Sequence, residues 1–188
     1  MNITALLLEF DNKLRIQRYS PSSVENYKSA MRPFLKLAIR KYNDPTLITT
    51  NDVEKYIAWL VNKKKISASY QRITVASIIK FYEMVVNIHL PVSHLYPKRN
   101  EKRLPNYLSK DDIVKMLKGT QNLKHRCIIA LLYSSGIRLG ELINLQLHDV
   151  DSCSNVIHIR SGKGKRDRKA ILSTKILEEL RAYYKAYK

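Results

Sequence analysis

Apolar residues recur at three- and four-residue intervals through most of the first half of the chain. Ile3, Leu6, Leu7, Phe10 and Leu14 mark one helix face. Ser20-Pro21-Ser22-Ser23 supplies a turn and a cap, and Val24, Tyr27, Met31, Phe34, Leu35 and Ala38 carry the same period onward. Pro33 falls inside that second pattern, and its missing N–H predicts a kink or a break there. Thr49-Thr50-Asn51-Asp52 caps a third helix with Val53, Tyr56, Ile57 and Leu60 inward. Ser67-Ala68-Ser69 opens a fourth, with Ile73, Ala76, Ile79, Phe81 and Tyr82 inward. Four short helices predict a small bundle over residues 1–95.

The pattern then changes. Pro91, Pro97 and Pro105 bracket Lys98-Arg99-Asn100-Glu101-Lys102-Arg103, and prolines flanking a charged run predict a solvated linker over residues 96–106. A second block, 107–188, opens with Ser109-Lys110-Asp111-Asp112, a variant capping box ahead of Ile113, Met116 and Leu117. Cys127 to Tyr133 is a nearly unbroken apolar run suited to a buried helix segment. Ser134-Ser135-Gly136 stops it, and a new helix starts with Leu139, Leu142 and Ile143 inward. Val156 to Arg160 and Arg168 to Leu172 read as two strands of a hairpin, with Lys163, Lys165 and Arg166 at the tip between them. A last helix places Ile176, Leu177, Leu180 and Tyr184 inward, and Tyr183 and Tyr187 on its surface. The fold class is mainly α with one small β-hairpin.

Charge narrows the partners. Thirty-four Lys and Arg against sixteen Asp and Glu give a net charge of +18, and both halves of the chain share the excess. A basic excess spread this widely suits a protein that wraps a polyanion, and nucleic acid is the first candidate because each neutralised phosphate releases counterions. A membrane surface fits less well, since no segment joins a wide apolar face to a lysine-rich one. At 45% hydrophobic the chain can bury a core. Cys127 and Cys153 are the only two cysteines and lack metal-ligand spacing, so a reduced cytoplasmic setting is expected. Asp11, Lys13 and Arg15 interrupt the first apolar stretch too early for a secretory signal.

One residue type stands out against this background. Arg138 follows the Gly136 break at a helix start, between two apolar segments, where a cation is useful only if an anion such as a phosphate docks against it. Lys163 lies 25 residues later in the Gly-rich hairpin turn. Around these two the chain resembles the tyrosine site-specific recombinases, the phage-integrase and Xer-type family. The resemblance rests on Ser135-Gly-Ile-Arg-Leu-Gly-Glu-Leu142 and Gly162-Lys-Gly-Lys-Arg-Asp-Arg168. It is supported by Ser20 to Tyr27 with Phe34, by Ser67 to Arg72 through Tyr82, and by Leu104 to Asp112. It implies a helical SAM-like core-binding domain followed by the N-terminal half of a catalytic domain.

The resemblance also implies a chemistry. In that family a tyrosine hydroxyl attacks a DNA phosphodiester, leaving a 3′-phosphotyrosyl link and a free 5′-hydroxyl, with no metal or nucleotide. Negative charge grows on the non-bridging oxygens, which a guanidinium fork stabilises. Arg138 matches the family's first catalytic arginine and Lys163 its hairpin lysine, a proton donor to the departing 5′-oxygen. Glu141 matches an acidic residue that braces the site. The implied partners are double-stranded DNA, clamped between two domains, and other recombinase protomers in dimers or tetramers. DNA-contact candidates are Ser22, Lys28, Ser69, Gln71 and Arg72 on helix starts, Lys98, Arg99, Lys102 and Arg103 in the linker, and Lys165 and Arg166 on the hairpin. Caps and solvated faces account equally well for any one of the helix-start residues, and Lys165 and Arg166 also fit a solvated hairpin tip.

The family's second box, His-x-x-Arg, a His or Trp, then the nucleophilic Tyr, has no counterpart. None of His89, His94, His125, His148 and His158 has arginine three residues on. The expectation is therefore a piece of a recombinase without its nucleophile, inactive alone, with apolar surface left exposed or covered by a partner. Two other classes stay open. One is a non-enzymatic DNA-binding regulator that occupies recombination sites. The other is an RNA- or ribosome-associated helical protein using the hairpin as a phosphate clamp.

Overall fold

The computed structural model describes residues 2–99, 104, 106–160 and 167–187. The chain divides into two compact units, Met1–Arg103 and Leu104–Lys188. No helix among the described residues is long and apolar enough to cross a membrane.

The first unit is helical throughout its regular structure. Helix α1 (Ile3–Ile16) starts at Asn2, whose side chain accepts from the Thr4 N–H at 2.9 Å, and it buries Leu6, Leu7, Phe10 and Leu14. Helix α2 (Pro21–Tyr42) has Ser20 as its cap and Pro21 at the first turn, where a missing N–H costs nothing. It runs unbroken through Pro33, against the expected break. Pro33 faces solvent, so the Ser29 carbonyl it deprives of a donor can turn to water. Asn43, at φ 56°, closes the helix in the left-handed region.

Helix α3 (Thr50–Asn62) carries a capping box between Thr49 and Asp52, and Asp52 also takes bonds from Lys41 and the Tyr42 hydroxyl. Helix α4 (Ala68–Phe81) runs into one wider π-helical turn, Tyr82–Val86. Its inward face is the expected one only at Phe81 and Tyr82. Thr74, Val75, Ser77 and Ile78 are buried with Phe81 and Tyr82, while Ile73, Ala76 and Ile79 are only half-buried. The two hydroxyls are satisfied by backbone, Thr74 donating to Tyr70 O at 2.8 Å and Ser77 to Tyr27 O in α2. Small residues at these positions let α4 lie close against α2 without an unpaired polar group.

The core of this unit joins all four helices. Phe10 meets Phe81 edge to face at 5.5 Å, Phe34 tilts against Tyr56 at 5.0 Å, and fully buried Tyr82 donates its hydroxyl to Pro45 O at 2.8 Å. Each such aromatic contributes about 2–3 kcal/mol by leaving water.

The second unit is less regular. Helix α5 (Lys110–Gly119) has the expected Ser109–Asp112 capping box, but only Ile113 is buried and Met116 is exposed. Helix α6 (Leu123–Ser135) buries Cys127, Ala130 and Leu131, leaving Ile128, Ile129 and Leu132 half-buried and Tyr133 outside. Gly136, at φ 57°, ends it, a conformation that a side chain would strain. Helix α7 (Leu139–Ile143) is short, and its expected inward residues Leu139 and Ile143 are 62% and 72% exposed.

The hairpin forms in the expected place, as β2 (Val156–Ile159) and β3 (Arg168–Ile171), antiparallel with Ile157 opposite Ala170 and Ile159 opposite Arg168. A short strand missed from the sequence, β1 (Val150–Asp151), adds an edge to give the order β1-β2-β3. Ile157, Ile159, Ala170 and Leu172 pack with Leu131 and Ile137 as the core. Helix α8 (Thr174–Tyr187) lays half-buried Ile176, Leu177 and Leu180 on this core. Tyr184, expected inward, is exposed, and half-buried Tyr183 instead rests against Tyr187 with ring centroids 4.9 Å apart.

Candidate active site

Arg138 is the residue that precedes the first turn of α7, with extended backbone at φ −77°, ψ 154°. The Gly136 turn aims the chain so that Ile137 is buried and Arg138 points out, its side chain 61% exposed. Glu141 folds back on it. One carboxylate oxygen accepts from the Arg138 backbone N–H at 2.8 Å, as in a capping box, and the other accepts from Arg138 Nη1 at 2.8 Å. A glutamate one turn inside a helix start is the residue type that can do both.

A second guanidinium completes the arrangement. Arg168, the first residue of β3, donates from Nη2 to Glu141 Oε2 at 2.7 Å and to Gly136 O at 3.3 Å. The Glu141 side chain is only 6% exposed between the two arginines. The bond from Arg168 comes first, then the Arg138 backbone N–H, in holding the Glu141 carboxyl down to about 2, so it is ionised at neutral pH. A buried carboxylate with two cationic partners anchors both of them. One of the five Arg138 N–H groups goes to Glu141, and the rest of the fork faces outward.

The sheet base is braced on its other side as well. Arg160, just past β2, lies 2.6 Å from Asp149 Oδ1, and buried Asp149 accepts from the Gln146 N–H at 3.0 Å. Arg160, after β2, and Arg168, at the start of β3, are thus each tied to a carboxylate, the first to Asp149 beyond α7 and the second to Glu141 within it. Lys163, Lys165 and Arg166 lie outside the described residues, as do Lys102 and Arg103 of the linker.

The remaining DNA-contact candidates differ in what they already hold. Lys28 is mostly covered, its ammonium 2.9 Å from buried Asp11, which also takes a bond from Arg15 and is held below the usual carboxylate range by Arg15 and then Lys28. Gln71 donates its amide to Leu95 O at 2.8 Å, fastening α4 to the 3₁₀ turn Ser93–Leu95. Ser22 bonds to the cap residue Ser20 at 3.1 Å. Ser69, Arg72, Lys98 and Arg99 are exposed. Arg168 was the contributor that the sequence pattern hid. It reaches Glu141 from β3, 27 residues further along the chain, and a contact between elements so far apart is not written in local periodicity.

A groove of about 780 Å³ also runs along the second unit, lined by Ile128, Leu139, Leu142, Ile143, Leu177 and Tyr184 among others. It is apolar where the Arg138 cluster is charged.

Comparison with known proteins finds a family match in each unit. Residues 6–91 match the phage integrase N-terminal SAM-like domain, and residues 106–187 match the phage integrase family. An integrase/recombinase of Escherichia coli is 30% identical over 177 residues, 94% of this chain and 52% of its own length. The tyrosine recombinase XerA of Pyrococcus horikoshii is 27% identical over 184 residues, 97% of this chain and 61% of its own length. A lambda integrase tetramer bound to a Holliday junction has a TM-score of 0.65 at 18% identity, covering 97% of this chain and 56% of that one, a likeness of fold. The chain thus spans between half and two thirds of the length of these relatives. With both matched segments present in order and a helical first unit ahead of a helical unit with a small antiparallel sheet, the chain belongs to the phage integrase family of tyrosine recombinases.

Proposed function

We propose that this chain binds duplex DNA at a recombination site and presents Arg138 to the phosphate at which strand transfer takes place. The observation that carries the reading is the outward guanidinium of Arg138, fixed from behind by ionised Glu141. A preorganised donor fork of this kind stabilises charge on non-bridging oxygens with little reorganisation. Lys163 is the proposed donor of a proton to the departing 5′-oxygen, and Glu141 braces the site without taking part in proton transfer.

In this reading residues 1–95 form the core-binding domain, 96–106 run beside the backbone, and 107–188 supply part of the catalytic domain. The net charge of +18 supports a broad phosphate contact. Ser22, Ser69, Arg72, Lys98 and Arg99 are the described candidates that are exposed, while Lys28 and Gln71 serve the fold first. The 3′-phosphotyrosyl step needs a tyrosine set behind a His-x-x-Arg box, and the 188 residues contain no such box. The chain is therefore inactive alone and occupies a site without cutting it.

The test pairs a binding assay with a nicked suicide duplex. Expected are site binding that weakens with salt by roughly 0.9 log units per log unit for each phosphate contacted, and no covalent protein–DNA adduct. An adduct overturns the inactive reading, and a slope near zero overturns the broad phosphate contact. Added to an intact recombinase acting on the same site, the chain slows recombination by competition.

A further inference from the structure

We infer that Arg168 is a positioning residue that keeps the Arg138 fork open for phosphate by sharing the charge of Glu141. The inference rests on the reading of Arg138 as the phosphate ligand. It concerns how that ligand is kept from being captured by its own neighbour.

Glu141 is almost fully covered and ionised, so its charge must be met inside the protein. Only Arg138 and Arg168 meet it among the described residues. With both arginines in place the cluster carries one net positive charge, and Arg138 commits a single side-chain N–H to the carboxylate. Without Arg168 the cluster is neutral. The second carboxylate oxygen, which now accepts from Arg168 Nη2 at 2.7 Å and from the Arg138 backbone N–H at 2.8 Å, then has a lone pair open to the Arg138 side chain. A guanidinium facing a lone carboxylate closes onto it through two parallel bonds, the geometry in which it would otherwise grip a phosphate. Phosphate and Glu141 would compete for the same fork.

Arg168 is placed to prevent this from three directions. It holds Glu141, it donates to the Gly136 carbonyl at the turn that aims Arg138, and it begins β3. Arg138 and the start of β3 are thereby tied through one side chain.

The test is a double-mutant cycle in the full chain, reading affinity for a duplex recombination site at fixed salt. Arg138→Ala lowers affinity about tenfold or more, the worth of a charge-assisted contact. Arg168→Gln produces a loss of similar size, and the double variant binds no worse than Arg138→Ala. Arg168→Lys, which keeps the charge but not the fork, recovers part of the loss and serves as the second variant if Arg168→Gln does not fold. The Glu141 carboxyl, followed by NMR, titrates higher in Arg168→Gln, a change that a general loss of stability does not produce. If Arg168→Gln binds as well as wild type, or either variant loses affinity equally with and without Arg138, the inference is wrong and the Arg138 reading survives. If Arg138→Ala binds as well as wild type, the phosphate reading fails and the inference falls with it.

Discussion

The two units use the same helical vocabulary to different degrees of completion. Among the described residues the first unit gathers twenty buried hydrophobics into one core, while the corresponding core of the second holds six. The first buries aromatic rings from α1 to α4 against each other. In the second, α8 has no fully buried residue and Leu139, Ile143 and Leu147 stand in solvent. The first unit is organised around packing, and the second around a charged cluster beside an open apolar groove. A unit that leaves this much apolar surface uncovered gains by associating, with itself or with a partner.

Each unit carries its own reporter, so the contrast can be tested in the intact chain. Trp59 is the single tryptophan and lies in the first unit, whereas both cysteines lie in the second, Cys127 buried and Cys153 exposed. Phe10→Ala should cost about 3–5 kcal/mol, seen as a lower urea midpoint by Trp59 fluorescence with little change in Cys127 labelling. Leu177→Ala, at a half-buried site of the second unit, should cost roughly 1–2 kcal/mol and speed Cys127 labelling instead. Equal losses at the two positions would erase the distinction. Tyr82→Phe, which strips the buried Pro45 carbonyl of its donor, should cost about 1–3 kcal/mol in the Trp59 transition.

Acid should weaken both units by the same route. Asp11 and Asp52 in the first unit and Glu141 in the second have folded carboxyls held below their ordinary values. A depressed carboxyl contributes fully above its unfolded pKa, about 4, and the contribution is lost as pH falls through the folded value. For Glu141 that window ends at about 2. Urea midpoints should therefore decline below about pH 4.5 and stay level from these groups between pH 5 and 8. Asp52→Asn should flatten the acid limb of the Trp59 transition only. The smallest effect on stability is expected at the groove: Leu139→Lys with Ile143→Lys should shift either transition by less than about 0.5 kcal/mol. The same pair should reduce self-association in sedimentation and binding of an apolar dye, and unchanged association would show that the groove is not the sticky surface.

Legibility followed the same divide. In the first unit, caps and periodicity located all four helices because Ser20, Thr49 and Ser67 are local signals that act on their own backbone. The exception was the α4 face, where hydrophobicity favoured Ile73 and Ile79 and the structure buries Thr74 and Ser77. In the second unit, Leu139, Ile143 and Met116 read as core because their spacing is helical, yet periodicity states only which residues share a face and never what covers it. Of the site, Arg138 was visible as a cation after the Gly136 break, and Glu141 through the family resemblance, three residues on at the same helix start. Arg168 was not, since it reaches Glu141 from a different element, 27 residues away in sequence.

The hydroxyl seam between α2 and α4 has a consequence beyond close packing. An all-aliphatic interface is tolerant of sliding, because one greasy surface replaces another at little cost. Ser77 meeting the Tyr27 carbonyl is directional, and a shift of one helical turn would bury that hydroxyl against hydrocarbon. The seam therefore works as a registration key: it adds little to the strength of the bundle, but it rejects the neighbouring alignments that Leu or Ile in its place would admit.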